Sequence, residues 1–240
     1  MKRIVKRPSE ELGQFELWKS TWQLSKKDLL DNPLLDEQKD KIWEKLSGKD
    51  KINIKQALLN EQGFICCYCQ QRIELDKKTI IEHFMARATY SELMFDYQNL
   101  FVCCDGGDTE RQYQNEQKIP KAQRIPQYCG SKKDDKEICI NPLDENCETH
   151  FSYSFNPNSK EVLIEGLTSE GCDTISTLNL GIAKLKTLRG AEIAGYILDG
   201  EDYITAEEAE ILLQKITQKR DGKFQPFCAA LEHVLKTLVR

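Results

Sequence analysis

The chain has 240 residues, 40% hydrophobic and 30% charged, with a net charge of −5. That length supports one sizeable core with an appendage or two small domains, and no apolar run approaches the ~20 residues that cross a membrane. The basic start, Met1-Lys2-Arg3-Ile4-Val5-Lys6-Arg7-Pro8, lacks the apolar stretch of a secretory signal, so a cytoplasmic protein with no membrane partner is expected. The negative balance argues mildly against a general nucleic-acid coat.

The front of the chain reads as helical. Ser9-Glu10-Glu11-Leu12 resembles a helix start, and Leu12, Phe15, Leu17 and Trp18 give an apolar side, followed by Trp22, Leu24, Leu29 and Leu30 up to the break at Asn32-Pro33. Leu35 to Leu46 predicts a second helix and Ile52 to Leu59 a third, with Gly63 as a turn. Phe64 to Leu75 fits a hairpin around a cysteine knuckle, and Thr79-Ile80-Ile81-Glu82-His83 is β-branched and reads as a strand. Asp105 to Gln127 is a polar stretch longer than the usual structureless connection, hence functional or partly helical. Between Glu116 and Lys133 stand Lys118, Lys121, Arg124, Lys132 and Lys133, which suit phosphates or a solvated face equally.

Beyond Asn141-Pro142-Leu143 the alternation of Phe151 to Phe155, the turn Asn156-Pro157-Asn158-Ser159 and Val162-Leu163-Ile164 predict a hairpin. Ile175, Leu178, Leu180, Ile182, Leu185 and Leu188 favour helices, and two more are expected near Thr205–Lys219 and Pro226–Val239. The fold class is α+β, divided as a helical segment over 1–50, a metal-bound centre over 51–145, and a β-hairpin plus helices over 146–240.

Ten cysteines need a chemical account. A reducing compartment disfavours disulfides, leaving metal ligation or burial. Cys66 and Cys69 form C-x2-C, a spacing that lets two thiolates converge on one tetrahedral zinc, and Cys104 with Cys129 would complete the set. A knuckle binds through positions i and i+3, so Cys67 points away. Cys103 precedes Cys104 in a strand-like run and faces the other side. Cys139, Cys147, Cys172 and Cys228 are expected as buried thiols.

His83 is one of three histidines and the one inside the cysteine frame. His150 and His233 lie outside it and are taken as structural or exposed. An imidazole titrating near neutrality suits a general base that activates water, and phosphodiester cleavage also needs a cation beside the phosphate, to which Glu82 would offer an oxygen. By itself, however, a histidine at a strand end is more often a surface group.

The surrounding pattern is Cys66-Cys67-Tyr68-Cys69, Ile81-Glu82-His83-Phe84, Asn99-Leu100-Phe101-Val102-Cys103-Cys104 and Cys129-Gly130-Ser131-Lys132-Lys133. It resembles the HNH, or ββα-metal, nucleases. Lys55-Gln56-Ala57-Leu58-Leu59, Asn141-Pro142-Leu143 and Thr174-Ile175-Ser176-Thr177-Leu178-Asn179-Leu180 leading to Arg189 extend the resemblance to the HNH subunits of Septu anti-phage systems, also found with certain retrons. The resemblance covers roughly residues 50–190. It implies a zinc-stapled ββα-metal HNH centre over 51–145, with structural zinc on Cys66, Cys69, Cys104 and Cys129. His83 takes the general-base position, Asn99 braces the histidine loop, and Glu82 binds a catalytic Mg2+ or Mn2+.

Two departures stand out: 24 residues separate Cys104 from Cys129, and Gly130 stands where the family often has a metal-binding Asn or His. Ser131, Asp134, Asp135 or a water is then the candidate second ligand. The resemblance also implies a nucleic-acid substrate (DNA, or an RNA such as tRNA) and an ABC/SMC-like ATPase partner. In retrons it adds a reverse transcriptase with its multicopy DNA. The chain has no phosphate-binding G-x4-G-K-[ST] loop of its own. Phe15, Trp18 and Trp22 at the front, and Leu231 and Leu235 at the back, are candidates for a docking face or for core packing. The competing reading is a zinc-stabilised protein-binding adaptor in which His83 is incidental.

Overall fold

The computed structural model describes residues 1–7, 46–200 and 202–239, with single positions 13, 16 and 43. The helices expected across Ser9 to Leu30 and from Leu35 to Leu46, with Phe15, Trp18 and Trp22, lie outside the described residues apart from those positions and Leu46. The described chain is mixed α and β, with seven α-helices and three two-stranded antiparallel sheets. Among the described residues no helix is long and apolar enough to cross a membrane.

Helix α1 (Gly48–Gln62) starts where the Ser47 hydroxyl accepts the Asp50 N–H and stops at Gly63, whose left-handed φ of 62° lets its N–H cap Leu59. It buries Ile54, Ala57, Leu58, Leu59 and Gln62. Gln62 is the informative one. Its side-chain amide donates to Ile65 O at 3.0 Å and Val102 O at 2.8 Å, and its carbonyl accepts the Val102 N–H at 2.8 Å. Val102 lies in strand β2 (Leu100–Cys104), which pairs antiparallel with β1 (Thr79–His83) in the register Ile81 opposite Val102 and His83 opposite Leu100. The glutamine therefore serves β2 as a neighbouring strand would, closing polar groups that the core would otherwise leave unpaired.

The knuckle departs from the sequence expectation. Between Phe64 and Leu75 only one isolated bridge forms, Ile65 opposite Arg72, and the chain turns through Gln70 at φ 67°. The polar stretch after Cys104 contains helix α2 (Asp108–Glu116) and a 3-10 turn at Lys121–Gln123. Its ends are drawn together by Tyr128 N–H to Gly106 O at 3.1 Å and by Ser131 Oγ donating to Asp105 O at 2.9 Å. A short helix α3 (Cys129–Lys133) follows.

Behind this centre stand the hairpin β3 (Phe151–Asn156) and β4 (Glu161–Gly166), helices α4 (Ser169–Leu178) and α5 (Ala183–Ile197), a minimal pair β5 (Leu198–Asp199) and β6 (Asp202–Tyr203), and helices α6 (Ala206–Ile216) and α7 (Cys228–Leu238). Helix α6 is opened by a capping box between Thr205 and Glu208. Helix α7 has no side-chain cap of its own; the Gln70 carbonyl from the knuckle accepts the Ala229 N–H at 2.8 Å instead. One hydrophobic cluster runs from Met1 through the cysteines to Leu235. Leu231 and Leu235 are fully buried in it, so they are core residues and not part of a docking face. Cys147 and Cys228 are buried as expected, whereas Cys139 and Cys172 are exposed.

Replacing Gln62 with Leu should leave Val102 N–H and Ile65 C=O without these partners inside the core, while Val102 C=O keeps the Cys67 N–H at 3.1 Å. An unsatisfied buried group costs ~1–3 kcal/mol, so a loss of at least about 2 kcal/mol in urea unfolding at saturating zinc is expected.

Candidate metal centre and adjoining site

Three local structures deliver four thiols to one point. The knuckle presents Cys66 and Cys69, held by Cys66 N–H to Gln71 O and Gln70 N–H to Cys66 O, each at 3.0 Å. Strand β2 ends in Cys104. Helix α3 begins with Cys129, whose φ of 51° is in the left-handed region that non-glycine residues seldom occupy. All four cysteines are buried, and their sulfurs lie within 4.8 Å of one another. The Cys66–Cys129 and Cys69–Cys104 sulfurs are each 3.9 Å apart.

A tetrahedral zinc with ~2.3 Å bonds sets its sulfurs about 3.8 Å apart, so the donor set fits that ion and could hold it. Arg189 supports the fit. It is 1% exposed, donates through Nη2 to Leu180 O at 2.8 Å, and its Nη1 has no hydrogen-bond partner. Burial disfavours its charge, while Tyr153, Cys69 and Cys129 favour it. A zinc held by four thiolates carries a net charge of about −2, which offsets a guanidinium that is otherwise costly to bury. Cys67 and Cys103 are buried but lie outside the cluster. The 24-residue separation of Cys104 and Cys129 is no obstacle, because the excursion through α2 returns to its own start.

Strand β1 carries Glu82 and His83, and as strand neighbours they point to opposite faces. His83 is 9% exposed, and its Nε2 donates to Met94 O at 3.0 Å, which leaves Nδ1 as the basic nitrogen. The indole of Trp43 packs edge-on against the imidazole, with centroids 4.6 Å apart, and stacks on Phe95 at 5.8 Å. Asn99 clamps the segment after the histidine: Oδ1 accepts Met85 N–H at 2.7 Å, and Nδ2 donates to Met85 O at 3.0 Å and Leu93 O at 3.2 Å.

Glu82 turns the other way. Its Oε1 accepts the Tyr68 hydroxyl at 3.0 Å and lies 3.5 Å from Lys133 Nζ. Burial pushes its carboxyl up, and Lys133 and Tyr68 oppose the shift. Ser131 is engaged elsewhere, on Asp105 O and Asp108 Oδ2, and Asp134 and Asp135 are exposed. Among the described residues the cysteines form the one group of three or more His, Cys, Asp or Glu ligands able to share an ion. Glu82 is thus engaged by a phenol and an ammonium. The sequence pattern gave no sign that Lys133, read as part of a basic stretch, would be fully buried, or that Tyr68 and Trp43 would cover Glu82 and His83. The available signals were the position of Tyr68 inside the knuckle and a Lys shortly after the last cysteine.

Zinc should copurify at about one ion per chain, and Cys69→Ser should unfold or aggregate the centre because binding and folding are coupled; metal analysis and circular dichroism check both. A second expectation concerns pH. Burial pushes His83 down to about 3, with Arg87 and Lys133 acting in the same direction and the Met94 carbonyl opposing. The unfolded value is near 6.5, so between those values the unfolded chain binds the extra proton and stability falls as pH falls. From pH 7 to 5 the wild type should lose about 2 kcal/mol more than His83→Gln. Urea midpoints of both proteins at saturating zinc measure the difference.

No protein-family model matches the chain. Two curated proteins do. The chain is 30% identical over 108 residues to the "Retron Vc95 putative HNH endonuclease" of Vibrio cholerae serotype O1 biovar El Tor, covering 44% of each. It is 27% identical over 131 residues to the "Septu protein PtuB" of Bacillus thuringiensis, covering 54% of this chain and 42% of that one. The chain thus spans less than half the length of either relative. Over about half of its own length the chain is thus similar to a protein named as a putative HNH endonuclease and to one named as a Septu protein.

Proposed function

We propose that the chain is an HNH endonuclease, the effector subunit of an anti-phage defence complex, cleaving nucleic-acid phosphodiesters with His83 as general base. The observation that carries this reading is the order of parts around the cysteine cluster. A strand ending in His83 pairs with a strand ending in Cys104, a helix opens on Cys129, and Asn99 clamps the segment that follows the histidine. The names of the two relatives support it. In this mechanism Met94 O fixes the imidazole tautomer, Nδ1 takes a proton from water as that water attacks phosphorus, and the bond to the leaving ester oxygen breaks, that oxygen taking a proton from solvent. The zinc is structural: it holds the knuckle, β2 and α3 in register. The Mg2+ or Mn2+ that the resemblance implies has no ready site at Glu82, so His83 is assigned its role independently of that ion.

The Trp43 ring over His83 supports a resting state in the lone chain. We infer that an ABC/SMC-like ATPase subunit, with a reverse transcriptase and its multicopy DNA where a retron is involved, releases it.

His83→Ala should lower cleavage of DNA or RNA by ~10²–10⁴ in the assembled complex, with zinc content and assembly unchanged, and Asn99→Ala should lower it less. Trp43→Ala should raise cleavage by the lone chain. Near-normal activity of His83→Ala would sink the mechanism. A wild-type complex that cleaves neither DNA nor total cellular RNA would favour the zinc-stabilised adaptor.

A further inference from the structure

We propose that Lys133 is the resident cation of Glu82, so that Glu82 acts as a buried ion-pair partner and not as a ligand for a divalent ion. Lys133 sits one turn after Cys129 on α3 and is 0% exposed. Its ammonium lies 3.5 Å from Glu82 Oε1 and donates to His83 O at 3.3 Å. It therefore bridges the two neighbouring residues of β1 from the helix that the fourth thiol anchors.

The carboxylate, 12% exposed, has two further neighbours. Tyr68 donates to Oε1 at 3.0 Å, and the Cys103 sulfur is 3.9 Å from Oε2. A side chain at position 130 would put its Cβ 2.7 Å from Glu82 Oε2 and 2.9 Å from the Cys103 sulfur, so only glycine lets α3 approach this closely. Mg2+ demands six oxygens at ~2.0–2.1 Å and surrenders its waters reluctantly. Here it would meet one carboxylate, a phenol, a thiol and an ammonium that repels it. A buried carboxylate and a buried ammonium each cost several kcal/mol alone and are retained together when paired and hydrogen-bonded. Cys103 has its place in the same arrangement, as part of the wall behind Glu82.

Lys133 is then a positioning residue. Because α3 is pinned at Cys129, the metal cluster fixes where the ammonium sits, and the ammonium in turn fixes the end of β1 through the His83 carbonyl. This inference concerns the site of the nuclease reading, but its test reads ion binding and stability, so either can fail alone.

The experiment is a titration of the zinc-loaded full chain with Mn2+, following the paramagnetic resonance signal of the free ion. Wild type and Glu82→Gln should take up Mn2+ alike. Lys133→Met should gain an uptake that Lys133→Met/Glu82→Gln loses, because the unpaired carboxylate then recruits the ion. In melting experiments Glu82→Gln and Lys133→Met should each lower Tm, and Glu82→Leu/Lys133→Met should recover most of the loss. Wild-type uptake that becomes about tenfold weaker in Glu82→Gln would overturn the proposal, since that is the behaviour of a lost carboxylate ligand. So would an unchanged Tm in Glu82→Gln. Should Lys133→Met fail to fold, the comparison of wild type with Glu82→Gln still decides.

Discussion

Four thiols must meet at one point for this protein to have a centre, and most of its architecture follows from that demand. The β1–β2 pair has five residues in each strand, and a two-stranded sheet of that size is marginal in water. The knuckle is held by turns, and α3 is barely longer than one turn. None of these pieces could persist alone; joined at the cysteines, they form one unit. The unusual φ at Cys129 is tolerated for the same reason, since the surrounding contacts over-determine it.

Buried amides connect that unit to the helices. Gln62 ties α1 to β2, and Gln70 ties the knuckle to α7 by accepting the Ala229 N–H. Phe227 N–H also binds the Gln70 backbone carbonyl at 2.9 Å. The Gln70 amide further donates to the Tyr153 hydroxyl at 3.4 Å, reaching β3. An amide in a dry interior must satisfy both its ends, so each glutamine has a demanding geometry and fixes its helix in place. Arg189 on α5 adds a link in charge: Tyr153, Cys69 and Cys129 favour the guanidinium charge that burial opposes.

The strand geometry of β1 separates two residues that adjoin in sequence. His83 faces Trp43 and Met94, in a setting that keeps the imidazole neutral, while Glu82 faces Tyr68 and Lys133. A single ion between the two side chains would have to bridge opposite faces of the strand. The centre is therefore two-sided, with a shielded base on one side and a closed ion pair on the other, joined by the Lys133 hydrogen bond to the His83 carbonyl.

Local chemistry settled much of this from sequence alone. The β-branched run Thr79 to His83, the alternation from Phe151 and the C-x2-C spacing depend on near neighbours, so they were legible. The convergence of Cys66, Cys69, Cys104 and Cys129 was legible too, because the C-x2-C spacing aims two thiols at one ion and Cys104 with Cys129 could complete the set. The hairpin expected around the knuckle reduced to one bridge, and Phe64 beside it takes a left-handed φ of 58°, which strand backbone does not. Leu231 and Leu235 went inward because α7 is pinned by Gln70, a residue 159 positions away from Ala229. That Lys133 would be buried against Glu82, and that Trp43 would cover His83, were decided by tertiary structure alone. Charge and aromatic character in a sequence do not reveal which way a side chain will face once distant segments close around it.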